Sequence, residues 1–112
     1  MNGEWVNEVV LVTGASRGIG EAILHDLAAR GARVVGTATS EAGARAIGAK
    51  LAEKGFIGTG MVLNVTDPSS VDAVLKAIEE QFGAPTILVN NAGITRDTLL
   101  MRMKDEDWDA VI

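Results

Sequence analysis

Cysteine and tyrosine are both absent from the 112 residues, and histidine occurs once, at His25. Without cysteine the chain has no disulfides and no thiolate chemistry, which fits the cytoplasmic location that we expect. A single imidazole gives little basis for a metal site built on histidine, and we predict no metal. We expect His25 itself to be a solvated residue on a helix face rather than a catalyst.

Long hydrophobic runs and an excess of positive charge are also lacking. No apolar run approaches the roughly 18 residues of a membrane span, and the first ten residues show no signal peptide, so we expect no membrane partner. The net charge of −5 argues against nucleic acid as a partner. A composition of 47% hydrophobic and 22% charged residues is typical of a globular protein, and 112 residues suffice for one domain.

Short apolar segments alternate with segments of helical periodicity. Residues 8–13 (EVVLVT) are β-branched and nearly all apolar, as expected of a strand buried on both faces. Asp67 followed by Pro68 opens the clearest amphipathic stripe, a combination typical of a helix N-terminus. The predicted strands are 8–13, 33–38, 60–64 and 86–90; the predicted helices are 19–30, 40–54 and 67–82, with another from 105 to 112.

This alternation predicts an α/β, Rossmann-like fold with right-handed crossovers. The expected fold is half of a doubly wound parallel sheet, with strand order 3-2-1-4 and helices on both faces. We expect it to form a flavodoxin-like truncated domain. On the first helix we expect Ile19, Ile23 and Leu27 to lie close to one apolar face.

Three glycines, Gly14, Gly18 and Gly20, lie in the segment LVTGASRGIG between the first strand and the first helix. In a doubly wound sheet this turn lies where ligands bind, and helix N-terminal amides favour an anion there. Glycine omits the Cβ atoms that would keep a diphosphate away from the backbone. The segment therefore predicts a dinucleotide-binding loop; a tight turn that binds nothing is the alternative.

The end of the second strand bears on which dinucleotide binds. NAD sites usually place a carboxylate about 20 residues after the glycines, where it accepts from the ribose 2′-hydroxyl. Residues 37–40 (TATS) are neutral here, and their hydroxyls can donate to a 2′-phosphate, with Arg17 as a nearby cation. These residues favour NADP(H). Glu41 is the objection, and we interpret it as a first-turn carboxylate that stabilises the helix dipole.

The segments TGASRGIG, LNVTD and ILVNNAGITRDTLLMRM together resemble the short-chain dehydrogenase/reductase superfamily. The segment NAGITRDTLLMRMKDEDW resembles, more narrowly, the bacterial 3-oxoacyl-[acyl-carrier-protein] reductases of fatty acid synthesis. The resemblance covers essentially the whole chain. It implies that NADP(H) is the cofactor and that the complete enzyme reduces 3-oxoacyl thioesters carried by acyl carrier protein.

The same resemblance implies roles for particular residues. The glycine loop carries the phosphates and ribose, Thr39 meets the 2′-phosphate, and Asn64 and Val65 flank the adenine, while residues 91–93 line the nicotinamide-side ribose. We interpret Asn90 as structural, bridging strands through its side-chain amide. The implied cofactor-binding residues are Gly14, Ala15, Ser16, Arg17, Gly18, Ile19, Gly20, Thr39, Asn64, Val65, Asn91, Ala92 and Gly93.

Catalysis in the resembled family uses a Ser, a Tyr and a Lys, and this chain has no tyrosine. We therefore expect residues 1–112 to be a single NADP-binding half-domain, truncated before the catalytic segment, with no catalytic residue of its own and no activity alone. Two departures from the family pattern concern residues 7–8 (Asn-Glu), where Lys is frequent, and Thr86, where Asp is frequent. We expect the change at Thr86 to weaken local hydrogen bonding.

An uncovered fourth strand would leave an apolar sheet edge, which is a template for pairing with another chain. We expect a homodimer through this edge and the final helix. One alternative function is a non-enzymatic, self-associating flavodoxin-like module that binds no nucleotide tightly. Another is a fragment that restores activity when it is combined with a separate C-terminal half.

Overall fold

The computed structural model describes residues 5–91, 99–104 and 107–110. Its strands and helices follow one another along the chain in the alternation that the sequence predicts, up to the fourth strand. The elements are β1 (Val9–Val12), α1 (Gly18–Ala29), β2 (Arg33–Ala38), α2 (Glu41–Glu53), β3 (Gly58–Val62), α3 (Pro68–Gln81), β4 (Ile87–Asn90), β5 (Leu99–Lys104) and β6 (Asp107–Ala110).

The strands form one sheet in the order β3-β2-β1-β4-β5-β6. Strands β1 to β4 are all parallel, with Val10 opposite both Val34 of β2 and Ile87 of β4. The predicted Rossmann-like order 3-2-1-4 is therefore confirmed. Strands β5 and β6 extend the sheet as an antiparallel hairpin beyond β4.

This hairpin corrects two predictions. The helix predicted from residue 105 to residue 112 is wrong for Asp107–Ala110, which form β6. The edge of β4 that we expected to be uncovered is occupied by β5, with Leu88 opposite Met101. The physical reason is that a sheet edge offers a row of unpaired backbone groups, whereas a helix of two turns has few hydrogen bonds to offset its nucleation cost. A homodimer joined through β4 consequently has no support in this structure.

The boundaries of the three helices lie within one residue of the predicted ranges. Ser40 Oγ accepts a hydrogen bond from the Gly43 amide at the start of α2, and the Asp67 carboxylate accepts from the Ser69 amide at the start of α3. The Ser69 hydroxyl also donates to Asp67 Oδ1 at 2.8 Å, and this bond, followed by the one from the Ser69 amide, holds the pKa of the Asp67 carboxyl below its ordinary value. Gly55 follows α2 with a φ of 75°, in the left-handed conformation that ends many helices.

The two sheet faces carry separate apolar clusters. One contains Leu24 of α1 with Ile47 and Leu51 of α2. The other contains Val74 and Ile78 of α3. Helices thus cover both faces, as predicted. Within the described ranges, none of the helices combines the length and the apolar character needed to cross a membrane.

The inward face of α1 differs from the prediction. Its buried residues are Gly20, Leu24 and Ala28, spaced four apart, while Ile23 and Leu27 are partly buried beside them. Ile19 is 65% exposed, so its predicted inward position is wrong. Ile19 lies in the first turn of α1, where the buried position is taken by Gly20, which packs against the Gly14 carbonyl.

Thr86 makes hydrogen bonds to the segment that opens β1. Thr86 Oγ1 accepts from the Val9 amide at 2.9 Å and lies 2.6 Å from Glu8 Oε1, to which it donates. The Thr86 hydroxyl thus connects the residue before β4 to the start of β1, with the Glu8 carboxylate as its acceptor.

Candidate functional site

The glycine loop, residues 13–20, joins β1 to α1 at the carboxyl edge of the sheet. Gly14 and Gly18 have φ values of 64° and 67°, a region that other residues adopt at a cost. Because α1 begins at Gly18, the amides of its first turn have no acceptor within the helix. A Cβ built on Gly18 would meet no heavy atom within 4 Å. The loop thus presents helix-start amides beside open space, the arrangement that binds phosphates in other proteins.

Gly20 is required for close packing rather than for an unusual turn. A Cβ on Gly20 would clash with the carbonyl oxygen of Gly14 and would lie 2.8 Å from Asn91 Nδ2. The start of α1, the exit of β1 and the end of β4 therefore meet where only a hydrogen atom fits.

Two asparagines at the end of β4, Asn90 within the strand and Asn91 just after it, tie the loop to the rest of the sheet. Thr13 Oγ1 donates to Asn90 Oδ1 at 3.1 Å and accepts from the Asn91 amide at 2.9 Å. Asn91 Nδ2 donates to the Gly14 carbonyl at 3.0 Å. The structural role predicted for Asn90 is confirmed. Asn91 thus holds the Gly14 carbonyl from the β4 side, at the same carboxyl edge of the sheet as the loop.

The hydroxyls at the end of β2 occupy different environments. Thr37 is 1% exposed; its Oγ1 accepts from the Gly14 amide at 3.4 Å and its carbonyl accepts from the Ala15 amide at 2.8 Å. Thr37 therefore cannot donate to a ligand from this position, and that expectation is wrong. Ser40 is the N-cap of α2 and is exposed, and Thr39 is exposed beside it. Thr39 remains the candidate contact for a 2′-phosphate.

The segment after β3 forms a local turn at the same edge. Asn64 Oδ1 accepts from the Thr66 amide at 3.1 Å and from Thr66 Oγ1 at 2.7 Å. Both bonds are accepted by the side-chain oxygen of Asn64. The side-chain NH2 group of Asn64 is the donor that could bind an adenine base. The Val65 side chain is exposed and offers an apolar surface beside it.

The remaining predicted residues surround the loop or lie outside the described part of the chain. Ser16 and Arg17 are exposed, and Arg17 is the N-cap residue of α1 with an extended backbone. Ile19 presents an exposed apolar side chain at the same opening. The predicted contacts Ala92 and Gly93 lie outside the described residues.

Charged side chains link α1 to α2 away from the loop. Lys50 Nζ lies 2.6 Å from Glu21 Oε2, and this hydrogen bond lowers the pKa of Glu21. Lys54 Nζ lies 2.9 Å from His25 Nδ1, and the His25 ring meets the ring of Phe56 edge-on at 6.3 Å. Burial, and then the Lys54 charge, lower the pKa of His25. The histidine predicted to be solvated is thus half-buried and partnered.

Glu41 lies where its structural interpretation places it, in the first turn of α2. Its carboxylate is 83% exposed and lies 3.6 Å from the guanidinium of Arg45, one turn along the helix. The Arg45 guanidinium therefore lies within ion-pairing distance of the carboxylate that is the objection to a 2′-phosphate, in an exposed pair of the kind that contributes little energy.

Sequence reasoning did not identify Thr13 and Thr37 as residues that shape the site. Both lie at or near the end of an otherwise apolar, buried strand, and both are buried. A hydroxyl at such a position needs a partner, and the neighbouring turn supplies it. That placement of Thr in the sequence was the available signal.

Residues 8–112 match the sequence pattern of the short chain dehydrogenases. The chain belongs to this family. It is 63% identical over 105 residues to the 3-oxoacyl-[acyl-carrier-protein] reductases FabG of Escherichia coli and of Vibrio cholerae, and 54% identical to that of Pseudomonas aeruginosa. Each match covers 94% of this chain and 42% of the relative, so the chain spans about two fifths of the length of these relatives. The superfamily resemblance drawn from the motifs is confirmed, and the parallel sheet and glycine loop described above are those of a short chain dehydrogenase.

Proposed function

We propose that this chain binds NADP(H) across the glycine loop and is the nucleotide-binding part of a 3-oxoacyl-[acyl-carrier-protein] reductase. Membership of the short chain dehydrogenases supports a nicotinamide nucleotide in general, and the similarity to the FabG reductases supports NADP(H) in particular. The observation that carries the proposal is the open space beside Gly18, next to helix-start amides without helical acceptors.

The residues present fit a diphosphate at this position. Any side chain on Gly18 would project into the space that a phosphate must occupy, and its φ of 67° disfavours other residues there. The α1 dipole adds partial positive charge at the same point. Ile19 can cover one side of the nucleotide with an apolar surface. The further proposed contacts are Gly14, Ala15, Ser16, Arg17, Gly20, Thr39, Asn64, Val65, Asn91, Ala92 and Gly93.

The residues at the end of β2 support NADP(H) rather than NAD(H). Thr39 is exposed and neutral, so it can donate to a 2′-phosphate without repelling it. Arg17 is exposed at the start of α1 and supplies a planar cation for the same group. Glu41 is paired with Arg45. Together these residues favour the extra phosphate.

For a complete protein that contains this chain, we propose NADPH-dependent reduction of a 3-oxoacyl thioester in the cytoplasm, with acyl carrier protein as the partner that presents it. The 112 residues contain no tyrosine, so the Tyr proton donor of the resembled family is not among them. We therefore expect no ketone reduction from these residues alone. Turnover of a ketone by the purified 112-residue protein would contradict this.

Calorimetric titration of this chain with NADPH and with NADH tests the proposal. We expect saturable binding of NADPH and weaker binding of NADH. Arg17→Ala should weaken NADPH binding roughly tenfold, the equivalent of about 1.4 kcal/mol, and NADH binding by less. Arg30→Ala removes the same charge at the opposite end of α1 and is the control.

Two results would contradict the proposal. No saturable heat with either nucleotide would favour the self-associating module. Equal losses of NADPH and NADH affinity in Arg17→Ala would remove the 2′-phosphate role of Arg17.

A further inference from the structure

The Gly14 peptide is held from two sides by different strands. Its amide donates to Thr37 Oγ1 on β2 at 3.4 Å, and its carbonyl accepts from Asn91 Nδ2 after β4 at 3.0 Å. Gly14 is also the residue where the chain turns into the left-handed region, with a φ of 64°. Holding both its amide and its carbonyl fixes the direction in which the following residues leave the sheet.

Further contacts hold the next residue, Ala15, against β2. The Ala15 amide donates to the Thr37 carbonyl at 2.8 Å, and Ala15 is 1% exposed. A Cβ built on Gly36 would lie 2.9 Å from the Ala15 Cβ, so the loop rests directly on the bare backbone before Thr37. The first half of the glycine loop therefore packs on, and is hydrogen-bonded to, the end of β2.

We propose that Thr37 is a positioning residue for nucleotide binding, acting through its buried hydroxyl on the Gly14 amide. This inference rests on the proposed NADP(H) function. Thr37 touches no ligand: its hydroxyl and carbonyl take up the amides of Gly14 and Ala15, which leaves the later loop amides, up to Gly20, to face a phosphate. A loop already held in its binding conformation loses less freedom when the nucleotide binds.

The hydroxyl is the part of Thr37 that this role requires. Valine has the same shape but no acceptor, so Thr37→Val keeps the packing and leaves the Gly14 amide without its partner. Serine keeps the acceptor and loses only a methyl group. The two variants therefore separate the hydrogen bond from the space that the side chain fills.

Calorimetric titration with NADPH is the first test. We expect the dissociation constant to rise about tenfold in Thr37→Val, the equivalent of about 1.4 kcal/mol, and to stay within about twofold of wild type in Thr37→Ser. Val35→Ala is the matched control. Val35 is fully buried on the same strand, whereas the hydrogen bonds from β2 to the loop are made by Thr37. Val35→Ala should lower the urea midpoint without changing the dissociation constant.

Amide hydrogen exchange in the nucleotide-free protein is the second test, and it does not depend on NADPH. We expect the Gly14 amide to exchange at least tenfold faster in Thr37→Val than in wild type, while the Val12 amide within β1 is unchanged. If Thr37→Val does not fold, Thr37→Ala replaces it under the same criteria.

The outcomes distinguish this inference from the proposed function. Unchanged Gly14 exchange in Thr37→Val, or equal NADPH affinity in Thr37→Val and Thr37→Ser, would overturn the role of Thr37. A wild-type chain that binds no NADPH would overturn the proposed function, and with it the nucleotide part of this inference, whatever the exchange experiment shows about the loop.

Discussion

Gly20→Ala changes one hydrogen atom to a methyl group at the point where β1, α1 and β4 meet. The new Cβ would overlap the Gly14 carbonyl oxygen and approach Asn91 Nδ2 to 2.8 Å. Neither neighbour is the free end of a flexible side chain, because Asn91 Nδ2 is already bonded to that same carbonyl. The backbone of the loop or of the helix start must therefore move.

The magnitude follows from three contributions. Overpacking a filled site costs about 1–3 kcal/mol, and loss of the Asn91–Gly14 hydrogen bond costs about 0.5–1.5 kcal/mol. Replacing a helical glycine by alanine stabilises the helix by about 0.8–1 kcal/mol, which offsets part of this loss. We expect a net loss of roughly 1–3 kcal/mol in the free energy of unfolding. For a chain of this size the melting temperature should fall by about 3–6 °C for each kcal/mol.

Gly48→Ala is the matched control for this experiment. Gly48 also lies within a helix, but a Cβ there would meet its nearest neighbour, the Gly60 nitrogen, at 3.6 Å, an ordinary contact. It should raise the free energy of unfolding by up to about 1 kcal/mol through helix propensity. Urea unfolding followed by circular dichroism measures both variants. A Gly20→Ala protein as stable as Gly48→Ala would refute the reasoning, because the clash would then be absent.

Three further predictions concern side chains near the loop and between the helices. Thr13→Val removes the hydroxyl shared by Asn90 and Asn91; urea unfolding should show a loss of about 1–3 kcal/mol, with a smaller loss in Thr13→Ser, and equal losses in the two would contradict the bonding role. The pKa of His25 lies below its ordinary value, so the neutral form is favoured in the folded protein. Its contribution to stability is complete above the ordinary pKa of about 6.5 and is lost as the pH falls through the lower, folded value, so wild type should lose more stability on acidification than His25→Gln. Lys54→Met should raise the His25 pKa in a titration followed by NMR, and an unchanged pKa would exclude the Lys54 charge as a cause.

The sequence predicted the parallel half of the fold because several local signals agreed. Ser40 and Asp67 are N-caps whose side chains bond the first helical turn, and the glycine at position 55 adopts the left-handed conformation at a helix end. The apolar strands have the continuous pattern of a sheet covered on both faces. Local propensity and burial therefore indicated the same element at each of these positions.

The failures occurred where tertiary contacts decide. Asp107–Ala110 have a helical sequence pattern, yet they pair with β5, which itself occupies the edge of β4. At the site, the three hydroxyls of residues 37–40 are alike in sequence. Only the fold shows that Thr37 is buried beneath the loop, that Ser40 caps α2 and that Thr39 is exposed.

The bonds that join Thr13 and Gly14 to the two asparagines at the end of β4 connect residues 77 or 78 positions apart in the chain. On a ribosome that adds roughly 5–20 residues per second, the first half of the loop is synthesised about 4–15 s before its β4 anchor. Residues 13–20 can contact β2 early, because only 23 residues separate Gly14 from Thr37. The Gly14 carbonyl is held by Asn91 only after β4 has paired with β1. If the loop binds a nucleotide as proposed, a nascent chain stalled before Asn91 emerges would contain the complete glycine motif without the bond that fixes the Gly14 carbonyl, and it would bind the nucleotide only after β4 is in place.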